Sequence, residues 1–139
     1  MRIVINRCHG GFSLSAKGIA AYLQLKGRQC FFYKKNIAED CLEQISVEKA
    51  DIFFDKAVTK DYGTRLADKE AINRADVFKD DLIARDDLHL IEVVDKLGSS
   101  IASGPMSELK VVTIPDDVKW YIHAYDGMET IHEVHRSWS

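Results

Sequence analysis

Apolar positions along the chain change period several times, and each change predicts an element. Ile3-Val4-Ile5 predicts a strand over Arg2–Asn6. Ala16, Ile19, Ala20 and Leu23 recur at three- and four-residue spacing, which predicts a helix over 13–26, capped by Ser13 or Ser15 and ended by Gly27. Gln29 to Tyr33 predicts a second strand, and strand–helix–strand order suggests a βαβ unit with parallel strands. Ile37 to Ile45 suggests a short helix and Ile52-Phe53-Phe54 a short strand. Residues 59–81 are polar and charged, with Gly63 as the clear breaker, and predict a long loop or excursion.

Periodicity returns at Leu88, Ile91, Val94 and Leu97, predicting a helix over 87–97 capped by Asp86 or Asp87 and terminated by Gly98. Glu108 to Ile114 predicts a strand stopped by Pro115. Residues 118–125 and 128–136 flank Asp126-Gly127, a two-residue hairpin turn. That turn pairs Ile122 with Ile131, Trp120 with Glu133 and Tyr121 with His132. The expected fold is α/β (α+β): a single domain over 1–139 with a mixed sheet, parallel at its start and antiparallel at its finish.

The chain has 139 residues, 46% hydrophobic and 29% charged, enough to bury a core in one domain. Net charge of −3 gives no steering toward duplex nucleic acid. No run approaches the roughly 18 apolar residues of a membrane span, and the N-terminal apolar run is too short for a signal peptide. Cys8, Cys30 and Cys41 are odd in number and lack CxxC spacing, which suggests reduced thiols in a cytosolic compartment.

Candidate chemistry begins with Asn6 to Ser15. Gly10-Gly11 between a strand and a helix start suits an anion, because glycines admit close approach and helix N-termini are electropositive. Asn6, Arg7, Cys8, Phe12 and Ser13 are the accompanying contacts. The same Gly-Gly pair also serves plain chain reversal, and the segment lacks both GxxxxGK[ST] and GxGxxG spacing. Cys8-His9 makes a poor nucleophile–base pair, since adjacent strand residues face opposite ways. Arg85, just before a helix start, is a candidate for phosphate or carboxylate, while Asp86 and Asp87 read as caps. His123 and His132 fall diagonally on one hairpin face; two imidazoles fall short of a zinc site, so no metal and no cofactor is expected. Tyr125, Arg136 and Trp138 could stack a base and hold its phosphate, although Trp138 also reads as core packing.

Together these pieces resemble a widespread family of small tailed-bacteriophage proteins. The resemblance lies in Asn6, Cys8, Gly10, Gly11, Phe12, Leu14 and Ser15, in Arg85 to Asp87, in Val93 to Gly98 and in Leu109 to Asp117. It continues in Trp120, Ile122, Tyr125 to Glu129 and His135 to Trp138. Residues 36–80 lie outside it, and His9 stands where an aromatic such as Tyr is common. The resemblance implies a phage gene expressed in the bacterial cytoplasm. By analogy with phage proteins that sequester the cyclic nucleotides of host immune signalling, the expected function is non-catalytic capture of an anionic nucleotide in a homo-oligomer. An adaptor for a host or phage protein is the alternative, and a small nucleotide-modifying enzyme ranks last because no nucleophile–base–orienter set is readable.

Overall fold

The computed structural model describes residues 1–134. Their fold is α+β, with four α-helices and eight strands in three antiparallel sheets. The chain forms two compact units, Ser15–Leu82 and the remainder, Met1–Leu14 with the segment from Ile83 onward.

In the unit that contains the N-terminus, β1 (Arg2–Asn6) pairs antiparallel with β6 (Leu109–Thr113) in the register Ile3↔Val112. Ile3, Val4 and Leu109 are fully buried, and α3 (Leu88–Leu97) buries Leu90, Ile91, Val93 and Val94. The Asp87 carboxylate caps α3 by accepting from the His89 and Leu90 N–H groups; Gly98, at φ 81°, ends it. The short α4 (Ser99–Ala102) follows. β7 (Trp120–Tyr125) and β8 (Met128–Glu133) form the hairpin in the expected register, Ile122↔Ile131 and Tyr121↔His132. Asp126 and Gly127 take φ 50° and 84°, both left-handed as a two-residue turn of this kind requires.

In the unit Ser15–Leu82, the Ser15 hydroxyl caps α1 (Ala16–Leu25), accepting from the Gly18 N–H. A sheet of order β4-β2-β3-β5 comprises β2 (Phe31–Asn36), β3 (Cys41–Ile45), β4 (Lys56–Val58) and β5 (Arg65–Leu66), beside the short α2 (Val47–Ala50). Tyr33, Leu42, Val58 and Ile72 make its core, with Phe31, Tyr62, Leu66 and Val77 packed against them. The Tyr33 hydroxyl donates to Gly63 O and accepts from Gln44 Nε2 and the Tyr62 N–H.

Four expectations change. β1 and β2 belong to different sheets, so the strand–helix–strand order builds no parallel pair. Residues 37–45 are a turn and a strand rather than a helix: Asn36 Oδ1 accepts the Glu39 N–H, Asp40 takes φ 49°, and the chain returns as β3. The strand near 52–54 falls instead at 56–58, after a turn. Residues 59–81 hold β5 and single turns of 3₁₀ helix, and they supply Ile72 and Val77 to a core, so they are more than solvated surface.

Two carboxylates of the unit that contains the N-terminus make its stability depend on acid pH. Arg2 donates to both oxygens of Asp95, at 2.7 and 2.8 Å, and the N-terminal ammonium pairs with Asp116. These hydrogen bonds hold both carboxyls below the ordinary aspartate value of 3.8. A lowered folded pKa gives stability that is present above 3.8 and is lost as pH falls through the folded value. Urea midpoints should therefore be flat near neutrality and decline below about pH 4. Asp95→Asn should shrink that decline; an unchanged acid limb would reject the assignment.

Candidate functional site

Asn6 ends β1 and is fully buried. Its amide nitrogen donates to Cys8 O at 2.6 Å and Gly127 O at 2.8 Å. Its carbonyl oxygen accepts from the Cys8 N–H, the Ser107 hydroxyl and the Glu108 N–H. One side chain thus ties together the loop after β1, the loop before β6 and the hairpin turn. All of its bonding capacity is spent inside the protein. Asn6 therefore shapes the loop.

Beside it lies a buried ion pair. Arg85 donates from Nη1 to Glu129 Oε1 at 2.5 Å and from Nη2 to Oε2 at 2.9 Å. Their side chains are 18% and 9% exposed. Glu129 Oε1 also accepts the Asn6 N–H at 2.7 Å, and the Arg85 guanidinium lies 3.7 Å above the Phe12 ring. The forked geometry suits guanidinium and carboxylate, and each removes the other's desolvation problem. The charge of Arg85 is accordingly met by Glu129. The start of α3, which was to share an anion with it, is capped by Asp87.

The glycines explain how three loops fit. A Cβ on Gly10 would lie 2.0 Å from Met106 O, and one on Gly127 2.3 Å from His9 O and 2.7 Å from Gly11 N. One on Gly104 would meet Ser13 Oγ at 2.0 Å. Gly11 differs: its φ is +91° and the space beside its Cα is open.

Asn6, Arg7, Cys8, Gly10, Gly11, Phe12, Ser13 and Arg85 thus belong to one cluster, and Tyr125 borders it. Arg7 donates from Nη1 to Glu129 O at 2.9 Å; the Ser13 carbonyl accepts from Gly104 N. Tyr125 is 75% exposed at the end of β7, beside the turn that touches His9 and Gly11. Arg136 and Trp138, like His135, lie outside the described residues. Ser15 and α1 belong to the other unit.

A cleft of about 510 Å³ opens along 99–108, lined by Ser99, Ser100, Ser103, Gly104, Ser107 and Glu108. Its floor is the segment that Asn6 and Gly10 hold in place. His123 and His132 lie edge to face with ring centres 5.6 Å apart, and Tyr121 stacks on His132 at 5.5 Å. Burial pushes the Cys30 thiol up to about 12, so it stays protonated and weakly nucleophilic at neutral pH.

Sequence reasoning missed Glu129 as a partner for Arg85 and missed the serines of the cleft. Glu129 had a readable signal. In the hairpin register it shares a face with Ile122 and Ile131, and an acid in line with half-buried aliphatics calls for a cation. The serines gave none, since four serines in a loop also read as solvated surface. No family model, curated protein or solved structure matches the chain.

Proposed function

We propose that this chain is a non-catalytic binding protein that sequesters an anionic nucleotide-type ligand, of the cyclic dinucleotide class, as a phage device against host immune signalling. The cleft along 99–108 carries the reading: its volume of about 510 Å³ suits a small molecule, and its hydroxyls can donate to phosphate or ribose oxygens. The open backbone at Gly11 and the exposed Tyr125 ring supply close approach and base stacking on the same cluster. The family resemblance supplies the biological setting. A homo-oligomer would enclose such an open cleft further.

The test is incubation of purified chain with cyclic dinucleotides, cyclic trinucleotides and cyclic ADP-ribose isomers, followed by heat release and mass analysis. Intact ligand should be recovered. Ser100→Tyr, at an exposed cleft position, should abolish retention, and Tyr125→Ala should weaken it by about 10-fold or more, the worth of one stacked base. A chain that retains none of the panel overturns the proposal, and consumption of the ligand would make the protein an enzyme. The exposed hairpin rings Tyr121 and Tyr125 favour the second reading, an adaptor for a protein partner, if nothing is retained.

A further inference from the structure

We propose that Glu39, Cys41 and Glu43, in the unit Ser15–Leu82, form a binding site for a divalent transition metal of the zinc type. The Cys41 sulfur and one oxygen from each carboxylate all lie within 4.8 Å of one another. Ligand atoms around tetrahedral zinc sit roughly 3.3–3.8 Å apart, given bonds of about 2.0–2.3 Å. Small rotations of the half-exposed Glu39 and of Glu43 close that difference.

Cys41 is the observation that separates this group from an ordinary acidic cluster. It is 7% exposed and free of any disulfide, its sulfur lies within 4.8 Å of an oxygen of each carboxylate, and the Arg65 guanidinium interacts electrostatically with all three groups. A cavity of about 220 Å³, lined by Lys35, Asp40, Cys41, Leu42, Ala67 and Asp68, gives an ion access to it. Two-residue spacing puts Cys41 and Glu43 on one face of β3, and the turn at Asp40 brings Glu39 alongside.

Arg65 and Asn36 act as orienting groups. Arg65 pairs with Glu39 Oε2 and, at 2.9 Å, with Glu43 Oε1, to which Asn36 Nδ2 also donates at 3.0 Å. A metal would then take the second oxygen of each carboxylate, the usual division between ligand and supporting shell. The charges also close. A thiolate and two carboxylates carry three negative charges, of which Arg65 neutralises one and a divalent cation the other two. Metal binding releases the Cys41 proton to solvent as the sulfur–metal bond forms. Three protein ligands leave the fourth position to water, and the thiolate selects zinc, cobalt or cadmium over magnesium or calcium.

Cobalt(II) added to the reduced, metal-free full chain reads the site directly. One equivalent should produce a near-ultraviolet thiolate-to-cobalt charge-transfer band that zinc abolishes by displacement. Cys41→Ser should remove the band, Glu39→Gln should weaken binding by about 10-fold or more, and Cys30→Ser should leave the band unchanged. Circular dichroism of each variant checks its fold. Should Cys41→Ser fail to fold, Glu39→Gln and Glu43→Gln decide. Absence of a band at equimolar cobalt, a band surviving in folded Cys41→Ser, or unchanged affinity in both glutamate variants overturns the site.

Discussion

Glu129→Ala should destabilise the unit containing the N-terminus by about 3–5 kcal/mol, the usual cost of stranding one member of a buried ion pair. Glu129 Oε1 holds both Arg85 Nη1 and the Asn6 N–H, and Oε2 holds Arg85 Nη2. Without them Arg85 keeps a distant Val4 carbonyl at 3.4 Å and the face of Phe12. A charged guanidinium at 18% exposure and a buried backbone N–H then lack their acceptors. Glu129→Gln retains one acceptor oxygen and should cost less, about 1–3 kcal/mol. The pair Glu129→Leu with Arg85→Met removes both charges, so it should recover much of the loss. Urea midpoints of the two singles and the double form a mutant cycle whose coupling energy measures the pair. Additive losses would show that Arg85 and Glu129 are near each other without depending on each other.

The same pair shows what the sequence made legible. Elements governed by local rules were readable: α3 through its three-residue apolar spacing and Asp87 cap, although Leu88 is exposed and Leu90 and Val93 are buried in addition to Ile91 and Val94, and the hairpin through Asp126-Gly127 and its period of two. Choices of partner between distant segments were not. Ile3-Val4-Ile5 could pair in parallel with Phe31-Phe32-Tyr33 or antiparallel with Val111-Val112, and its own pattern fits both. The turn at 37–40 was missed because Ile37, Cys41 and Ile45 recur at four-residue spacing and mimic a helical period, whereas Ile37 is in fact 85% exposed. Asn6 reads from the sequence as a side-chain contact of the Gly10-Gly11 loop. Its role as a hub binding three loops depends on Ser107, Glu108 and Gly127, over a hundred positions away.

Gly10→Ala and Gly11→Ala should separate by several fold in stability although the two positions are adjacent. An added Cβ at Gly10 meets Met106 O at 2.0 Å, Met106 Cβ at 2.2 Å and Met106 C at 2.8 Å. Backbone cannot rotate aside as a side chain can, so the 103–108 segment must move. That segment carries the Ser107 hydroxyl and Glu108 N–H that Asn6 accepts, and displacement spreads into the buried network. Overpacking of this kind costs about 1–3 kcal/mol and the coupled hydrogen bonds about 1 kcal/mol each. Gly11→Ala meets open space and carries the strain of its left-handed φ of +91°, about 1–2 kcal/mol. Ligand binding should respond in the opposite sense. Gly11→Ala places a methyl in the open space where the proposed ligand would approach the backbone, so it should lower affinity in a chain that still folds. Equal destabilisation by the two substitutions would mean that the loop relaxes freely and that Met106 does not fix it.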